Sequence, residues 1–296
     1  MDLSPNFLAN LQDAYKDTGK AWLHDLAETI TKLCDKHGCR FIKPMPDLTY
    51  HFVGLVEILA TGENAILKMA PTSENVEREA KWLRCFDKDV PIIYWFDDEY
   101  HAYLMEQIVP GKSLKYLVKD DDDKATSIIC QVIRDLHDNQ HKVEGFKHLS
   151  ELAIALPGLK RKIEDKILTK TQALFAALTE PSATDVLLHG DLHHDNILSS
   201  GNDYKVIDPH GYIGDPAFAS SVMIYNPRDC FPQDKSVKEI IQRRLSILCD
   251  ELPYDAHRIK AWTLCMTILS IAWSYEDYGA VPASDLEVAK IIDKLI

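Results

Sequence analysis

Residues His189–Leu198, which read HGDLHHDNIL, decide the fold. The stretch places Asp191 on a short loop directly after Gly190, and Asn196 follows five residues later. An apolar strand candidate begins there, and a second strand candidate ends at Asp208, twelve residues after Asn196. The pattern predicts a hairpin flanked by two polar loops, each of which carries one of the two aspartates.

The side chains of Asp191, Asn196 and Asp208 could act together in a single reaction. Asp191, on a tight loop, can accept the proton of a substrate hydroxyl as a general base. The amide oxygen of Asn196 and the carboxylate of Asp208 are hard oxygen ligands of the kind that Mg²⁺ takes alongside substrate phosphates. A base, an Asn five residues later and then a metal-binding Asp is the order found in kinase phosphoryl transfer. A Gly/Asp turn with a structural Asn is the alternative, and the combined spacing favours the kinase interpretation.

The same loop contains three histidines that invite a metal interpretation. His189, His193 and His194 could be zinc ligands. However, His189 stands where kinases place a structural histidine before the base, and two adjacent loop residues need not point the same way. We therefore do not expect a zinc site.

A lysine lies inside the apolar strand candidate Ala65–Met69. A buried ammonium at Lys68 is costly unless it meets an anion, and the phosphates of ATP together with a helix glutamate would supply one. Glu79 is the preferred partner and Glu77 the alternative. A lysine that reaches solvent from a sheet edge is the competing interpretation. No GxGxxG loop precedes Lys68, so the turn over residues 48–53 would have to cover the phosphates.

The rest of the chain divides into a β-rich part and a helical part. Apolar spacing predicts helices over Pro5–His37 and, after a break at Pro110 and Gly111, throughout most of the remainder. The acidic run Asp120–Asp123 is expected to be a solvated loop and helix start. The other expected elements are a hairpin over Phe52–Met69, a helix capped by Ser73, a second hairpin with strands Val90–Phe96 and Tyr100–Met105, and a hinge over Glu106–Gly111.

Composition excludes several classes of protein. The 296 residues include 33 Lys and Arg against 46 Asp and Glu, so the net charge is −13. Such a chain does not suit nucleic acid or an anionic membrane as a partner. The longest apolar stretch, Ala261–Trp273, is too short to span a bilayer, and the start does not resemble a signal peptide. Seven cysteines without a Cys-x-x-Cys pair predict reduced thiols in a cytoplasmic protein.

Taken together, these motifs resemble the aminoglycoside phosphotransferase family, and most closely its streptomycin kinase and hydroxyurea kinase branch. The strongest likeness is the loop His189–Leu198 followed by IDPxGxxGDP over Ile207–Pro216. The likeness extends along nearly the whole chain. It includes Gly19–Leu23, Leu67 and Lys68, Glu77–Ala80, Leu104–Gly111, Ile133–His137, Trp262 and Leu269–Trp273.

The resemblance implies an α+β, protein-kinase-like fold of two lobes. Residues 1–108 would form an ATP-binding lobe around a five-stranded antiparallel sheet, and residues 109–296 a helical catalytic and substrate lobe. The implied roles are those of the family. Asp191 is the base, Asn196 and Asp208 hold Mg²⁺, Lys68 paired with Glu79 binds the ATP phosphates, backbone groups of Glu106 and Ile108 bond adenine, and Asp215 braces the catalytic loop.

Two departures from the family pattern fall near the expected acceptor pocket. The segment Ala217–Ser221 lacks a second acid that many members have, and Asp195 stands where a small residue is common. The acidic net charge predicts a polyhydroxylated, cationic acceptor. Trp273, Glu276 and Asp277 could stack on its ring and pair with a guanidinium or ammonium group. Ordinary surface acids at a helix end are the alternative.

The expected activity is ATP-dependent phosphorylation of a small-molecule hydroxyl by a monomer or homodimer. An antibiotic-resistance kinase for a streptomycin-like aminoglycoside or for hydroxyurea is the first hypothesis. A metabolite kinase for a sugar, amino alcohol or ketosamine is the second, because fold and motif do not fix the acceptor. A nucleotide-binding regulator without activity is the third, and the intact set of Lys68, Asp191, Asn196 and Asp208 argues against it.

Overall fold

The computed structural model describes residues 3–46, 48–140 and 144–296. The chain divides into two compact units, Met1–Val109 and Pro110–Ile296. The helices and strands of the first unit are α1 (Pro5–His37), β1 (Cys39–Pro44), β2 (Phe52–Ile58), β3 (Asn64–Met69), α2 (Ser73–Leu83), β4 (Ile93–Asp97) and β5 (Ala102–Glu106).

The strands of the first unit form one five-stranded antiparallel sheet, as predicted, and their order is β1-β2-β3-β5-β4. β3 is the central strand, and all of its residues except the first are buried. Lys68 lies in this strand, in register with Val53 on one neighbour and Tyr103 on the other. A lysine at the sheet edge is therefore excluded.

The second hairpin begins and ends later along the chain than the sequence predicts. The carboxylate of Asp97 accepts hydrogen bonds from the backbone N–H groups of Glu99 and Tyr100, at 3.1 and 3.3 Å. Because these bonds form a tight turn, Tyr100 belongs to the turn and β5 starts at Ala102. A smaller correction concerns α2, whose N-cap is Thr72 rather than Ser73.

Helix α1 is two helical segments joined at a sharp kink. Lys16 at the kink has φ 49° and ψ −127°, outside the helical region. The segments approach so closely that a Cβ atom at Gly19 would lie 2.7 Å from the carbonyl oxygen of Leu11. Glycine is therefore required there. Phe7 and Leu11 from the first segment and Leu26 from the second are buried in one core with the sheet.

The second unit is mainly helical. Its helices are α3 (Lys115–Asp138), α4 (Asp165–Leu178), α5 (Val237–Glu251), α6 (Ala256–Tyr278) and α7 (Ala283–Asp293). Two three-stranded sheets, in the orders β10-β9-β6 and β7-β11-β8, complete it. Their strands are β6 (Pro110–Ser113), β7 (Lys147–His148), β8 (Val186–Leu188), β9 (Ile197–Ser200), β10 (Asp203–Val206) and β11 (Tyr212–Gly214).

Helix α6 forms the core of the second unit. Twelve of its residues are buried, among them most of the apolar stretch that stood out in the sequence. Trp262 packs edge-on against the rings of Phe175 and Phe218. Within the described residues, no helix is long and apolar enough to cross a membrane.

A buried arginine on α5 corrects the expectation for the acidic run. Arg244 is fully buried, and its guanidinium donates to the carboxylate of Asp122 at 2.6 and 3.1 Å. It also donates to the carbonyl oxygens of Met223, Ile224 and Asn226 at 2.8, 3.1 and 2.6 Å. The helix start expected at the run Asp120–Asp123 is present inside α3: Asp121, with φ −156° and ψ 81°, interrupts the helix, and its carboxylate accepts the N–H of Lys124 at 3.0 Å. Asp122 departs from the expected solvated run, because it is buried and pairs with Arg244.

Candidate active site

The two polar loops predicted from the sequence are joined by backbone hydrogen bonds. The N–H groups of His210 and Gly211 donate to the carbonyl oxygen of His189 at 2.7 and 3.0 Å. Ile207 N–H donates to the carbonyl oxygen of Asn196 at 3.0 Å. The ring Nε2 of His189 lies 2.9 Å from the carbonyl oxygen of Ile207. The position of Asp191 is thus fixed by neighbouring backbone rather than by its own side chain.

Glycine is required directly before the proposed base. Gly190 has φ +88°, which other residues rarely adopt. A Cβ atom there would also lie 2.8 Å from the ring of Tyr212 and 2.9 Å from Cβ of His210. Any side chain at this position would separate the two loops.

Asp191 is surrounded by hydrogen-bond donors and histidines. Its carbonyl oxygen accepts from Nδ2 of Asn196 at 2.9 Å, and its Oδ2 lies 3.5 Å from Nε2 of His193 and 4.0 Å from Nε2 of His210. Burial opposes ionisation, but the hydrogen bond with His193 and the charges of the nearby histidines lower the pKa of Asp191 overall. The carboxylate is therefore ionised and can accept a proton.

His193 and His194 are adjacent but lie in opposite environments. Burial alone would lower the pKa of His193, yet its hydrogen bond to Asp191 and the charges of Asp191 and Asp195 raise it overall. His194 is fully buried, and neither ring nitrogen has a hydrogen-bond partner within the described residues. Burial holds the pKa of His194 well below its usual value. In the sequence, His193 suggested only a possible zinc ligand; its place two residues after Asp191 was the available signal for this contact.

Asn196 and Asp208 carry the donor atoms that suit Mg²⁺. The amide nitrogen of Asn196 is bonded to the carbonyl oxygen of Asp191, so its side-chain oxygen points the other way. Asp208 is exposed and has φ 60°, a strained backbone that is common at functional sites. Its charge contributes to raising the pKa of His193, so the two side chains are near each other.

This donor set fits magnesium better than a metal enclosed by protein ligands. Within the described ranges, no group of three or more His, Cys, Asp and Glu side chains is arranged to hold a metal ion. Mg²⁺ commonly takes one or two protein oxygens and completes its shell with phosphates and water. One amide oxygen and one carboxylate meet that requirement.

The first unit contains the predicted lysine–glutamate pair. Nζ of Lys68 lies 2.8 Å from each carboxylate oxygen of Glu79, and both side chains are only 5% exposed. Glu77 is exposed on another face of α2. Lys68 and Glu79 therefore satisfy each other inside the sheet–helix layer.

The end of β5 holds the backbone groups expected to contact adenine. Glu106 donates its N–H to the carbonyl oxygen of Ile92 at 2.9 Å, and its carboxylate accepts the N–H of Ile92 at 3.1 Å. The N–H of Glu106 is therefore already bonded within the sheet. The N–H of Ile108 has no hydrogen-bond partner in the part of the chain that the structure describes.

The candidate acceptor residues are not equivalent. The carboxylate of Asp195 is already paired with Nζ of Lys115 at 2.7 Å. Trp273 is half-buried, whereas Glu276 and Asp277 are exposed at the end of α6. The structure brings none of these four residues into a described contact with Asp191.

Tyr225 and Ser270 are two polar residues whose possible role the sequence pattern did not indicate. Burial raises the pKa of Tyr225, a hydrogen bond from Ser270 opposes that rise, and the charge of Asp191 adds to it. Tyr225 is therefore buried where the charge of Asp191 reaches it. Asp277 lies seven residues after Ser270 and shares its helix face, whereas Glu276 is turned away by about a third of a turn. Tyr225 ends an apolar run, so only its hydroxyl distinguished it from a core residue.

Asp215 does not brace the catalytic loop as expected. Its carboxylate accepts from Nε and Nη2 of Arg258 at 2.9 and 2.5 Å and from Nε1 of Trp262 at 2.7 Å. It also caps the short helix that follows, accepting from Ala217 N–H at 3.0 Å. Oδ1 of Asp215 thus caps that helix, while Oδ2 is bonded to two side chains of α6.

The sequence is similar to those of known resistance enzymes. Residues 49–278 match the family model described as aminoglycoside/hydroxyurea antibiotic resistance kinase. The chain is 24% identical to streptomycin 6-kinase of Streptomyces griseus over 290 residues, which cover 94% of this chain and 92% of that enzyme. It is 28% identical to streptomycin 3''-kinase of Klebsiella pneumoniae over 189 residues, 60% of this chain and 67% of that enzyme.

The fold is similar to those of solved small-molecule kinases. A choline/ethanolamine kinase family protein from Mesorhizobium loti matches with TM-score 0.64 and 12% identity, over 90% of this chain and 94% of that one. A thermostable mutant of an aminoglycoside phosphotransferase, in ternary complex with ADP and hygromycin B, matches with TM-score 0.62 and 13% identity, over 89% and 96%. The α+β, protein-kinase-like fold predicted from the sequence is thereby confirmed.

Proposed function

The chain belongs to the aminoglycoside/hydroxyurea antibiotic resistance kinase family, and from this premise we propose that it transfers the γ-phosphoryl group of ATP to a hydroxyl of a streptomycin-like acceptor. The observation that carries the proposal is the ionised Asp191, held on a fixed loop beside Asn196 and Asp208. ADP in a protein of similar fold supports ATP as the phosphoryl donor.

In the proposed reaction, Asp191 accepts the proton of the acceptor hydroxyl. As the bond from that oxygen to the γ-phosphorus forms, the bond to the β–γ bridging oxygen breaks and ADP leaves. His193 keeps the carboxylate oriented through its contact with Oδ2. Asn196 and Asp208 would hold Mg²⁺, which neutralises charge on the transferring phosphoryl group when it is bound.

The first unit would bind the nucleotide. The ammonium of Lys68, oriented by Glu79, contacts the ATP phosphates, and the carbonyl oxygen of Glu106 with the N–H of Ile108 bonds the adenine edge. Because Lys68 is almost completely buried, its charge acts in an environment of low polarity, where a contact with phosphate is stronger than in water.

The proposed acceptor is polyhydroxylated and cationic. Asp277 is the carboxylate best placed to pair with a guanidinium or ammonium group, because it shares a helix face with Ser270. The relatives matched by sequence are streptomycin kinases, so a metabolite kinase is not favoured. All seven cysteines are free thiols, which supports a cytoplasmic location as part of the proposal.

A panel of acceptors tests the proposal. The purified chain is incubated with ATP and Mg²⁺ plus streptomycin, other aminoglycosides, hydroxyurea, choline, a ketosamine or a neutral sugar. ADP release and the mass of the acceptor are measured, with Asp191→Asn as the inactive control. We expect a streptomycin-like acceptor to gain one phosphoryl group. Turnover restricted to neutral sugars, choline or ketosamines would establish a metabolite kinase, and ATP binding without turnover of any acceptor would establish a regulator.

A further inference from the structure

Glu106, the last residue of β5, is held from both sides of the sheet. On one side it is in register with Ala65 of β3, which is buried. On the other side it donates its N–H at 2.9 Å to the carbonyl oxygen of Ile92, the residue directly before β4. The N–H of Ile92 donates in turn to Oε2 of Glu106 at 3.1 Å. Two hydrogen bonds therefore join the same two residues, and one of them uses a side chain.

The bond to the Glu106 carboxylate departs from regular strand pairing. In a hydrogen-bonded antiparallel pair, the two residues exchange two backbone N–H···O=C bonds. Glu106 and Ile92 make the first of these, and the carboxylate accepts the return bond. The register of β4 on β5 also shifts nearby, between Ile93 and Trp95. The side chain thus helps to set how the backbone of Glu106 lies against β4, at a point where the ladder is irregular.

The residue that the carboxylate holds is itself firmly placed. Ile92 follows Pro91, which is buried and whose ring restricts its backbone. The next residue, Ile93, is in register with Met105 of β5. The N–H of Ile92 is therefore a fixed point, and a hydrogen bond to an ionised carboxylate is shorter and stronger than one between neutral groups.

Glu106 opens the hinge, in which the proposed function places the contacts with adenine. Its carbonyl oxygen and the N–H of Ile108 would bond the adenine edge, and the side chain of Ile108 is buried. Both groups must point toward the base at the same time. A rotation of the peptide that follows Glu106 would misdirect the first of them, so whatever fixes this peptide affects how the base binds.

We propose that the carboxylate of Glu106 is a positioning group for the nucleotide base, which holds the hinge peptide so that the carbonyl oxygen of Glu106 meets the exocyclic amino group of adenine. The inference rests on the proposed function, because it requires that the hinge bind ATP. It also gives this side chain an effect on the choice of purine, since guanine carries an oxo group where adenine carries the amino group. Without the carboxylate, the N–H of Ile92 would bond the carbonyl oxygen of Glu106, as in a regular ladder, and turn it from the base.

The test compares three nucleotides, so that contacts with the base are separated from contacts with the phosphates. They are ATP, GTP and purine riboside triphosphate, which has the ring of adenine without the amino group. Glu106→Ala removes the acceptor of the Ile92 N–H, and Glu106→Gln keeps an oxygen acceptor. Glu99→Ala is the matched control, because Glu99 lies in the turn of the same hairpin and its exposed carboxylate pairs with Lys36.

The measurements are the Kd of each Mg-nucleotide by calorimetry, KM for ATP, KM for the acceptor, kcat and the melting temperature. We expect Glu106→Ala to raise Kd and KM for ATP about three- to tenfold, the range for one lost hydrogen bond. Its Kd for GTP and for purine riboside triphosphate should change by less than about twofold, so that the preference for ATP falls. KM for the acceptor and kcat should stay within about twofold of wild type. Glu106→Gln and Glu99→Ala should bind all three nucleotides within about twofold of wild type.

Several results would overturn the inference. One is a Glu106→Ala enzyme that binds ATP as tightly as wild type, whatever its melting temperature. Another is an equal loss of affinity for ATP and for purine riboside triphosphate, because the side chain would then support the fold rather than the contact with the amino group. A third is a Glu106→Gln enzyme as weak as Glu106→Ala, since an amide oxygen can accept the same hydrogen bond.

The wild-type chain distinguishes failure of this inference from failure of the proposed function. If it binds ATP and purine riboside triphosphate equally well, the amino group is not recognised, and the inference fails while the proposed function stands. If it does not bind ATP at all, the proposed function is overturned and this inference with it.

Discussion

Lys68 and Asp191 present charge to a proposed substrate in two different ways. Lys68 is paired with the carboxylate of Glu79, and both side chains are only 5% exposed. Asp191 keeps about a third of its side chain exposed (31%) and has histidines around it. A buried pair tolerates no change in either partner because an uncompensated charge would remain. A cluster of histidines can instead adjust its protonation around one carboxylate.

The two sites also differ in how the backbone supports them. Lys68 is held by regular hydrogen bonding in the central strand of a sheet, and Glu79 by the repeat of α2. Asp191 follows a glycine with φ +88° and lies in a loop tied to the next loop. The first arrangement can be recognised from periodicity, and the second only from a specific motif. The following predictions test whether the two sites respond to mutation as differently as these structures imply.

The largest expected effect is on the base. Asp191→Asn should lower kcat about 10²–10⁴-fold, because general-base assistance is lost, while the Kd of ATP changes by less than about twofold. Asp195→Asn is the matched control in the same loop, since its carboxylate is already paired with Lys115. Steady-state rates and calorimetry provide the measurements. An Asp191→Asn enzyme that retains more than half of the wild-type rate would exclude Asp191 as the base.

Breaking the buried pair should affect stability as well as binding. Glu79→Gln removes the carboxylate that lies 2.8 Å from the buried ammonium of Lys68, which should lower the free energy of unfolding by about 3–5 kcal/mol and weaken ATP binding. Glu77→Gln, on the exposed face of the same helix, should change stability by less than about 0.5 kcal/mol. Urea unfolding of both variants measures the difference. Equal effects would mean that the pair is not the feature that supports Lys68.

The histidine preceding the catalytic loop should make stability depend on pH. Burial lowers the pKa of His189 from 6.5 to about 4. Above pH 6.5 the ring is neutral in the folded and unfolded chains. Below it, the unfolded chain takes up a proton that the folded chain does not, so stability falls as the pH decreases. By pH 4 the loss from this residue should reach about 3 kcal/mol.

His189→Gln should therefore flatten the dependence of unfolding free energy on pH between about 4 and 6.5. His24→Gln is the control, because the side chain of His24 is 89% exposed. Urea unfolding at several pH values compares both variants with wild type. The same slope in His189→Gln and wild type would show that the folded chain protonates His189 as readily as the unfolded one.

The two proposed metal ligands should differ in importance. Asp208→Ala removes the charged ligand and should raise the Mg²⁺ concentration for half-maximal rate about tenfold or more. Asn196→Ala removes a neutral ligand and should raise it less. Titration of Mg²⁺ at saturating ATP gives both values. If Asp208→Ala has the half-saturation of wild type, Asp208 does not bind the metal.

The smallest expected effect is at the end of α6. Asp277→Asn should raise KM for a cationic acceptor by up to about tenfold, the effect of one charged hydrogen bond, and leave KM for ATP unchanged. Glu276→Gln, one residue away on a different face, should change neither value by more than about twofold. Kinetics with streptomycin measures both. A larger effect from Glu276→Gln would contradict the helix face inferred from Ser270.

The sequence predicted the elements whose signals are local. The β2–β3 hairpin follows from alternation and a Gly-containing turn, and the position of Lys68 within it from its apolar neighbours. The loop around Asp191 was predicted because a motif encodes its geometry. These signals lie within a few residues of the groups they place.

The features that escaped prediction depend on residues distant in the sequence. Asp122 looked like part of a solvated run because its partner, Arg244, is 122 residues away. Asp215 was assigned to the catalytic loop, but Arg258 and Trp262 determine its direction. Tyr15 precedes a kink that arises when Gly19 packs against Leu11. Contacts between residues so far apart in the chain leave no periodic pattern in a short stretch of sequence.

Arg244 has a consequence for how such an enzyme can evolve. Its guanidinium is bonded to the carboxylate of Asp122 and to the carbonyl oxygens of Met223, Ile224 and Asn226, a set of contacts that lysine cannot reproduce. Mutations selected for a new acceptor can therefore change side chains of the segment around Tyr225 and of α6, while Arg244 keeps the backbone beneath them in place. In a mutational library selected for altered resistance, we expect positions 122 and 244 to remain invariant and the gains to accumulate around residues 270–277.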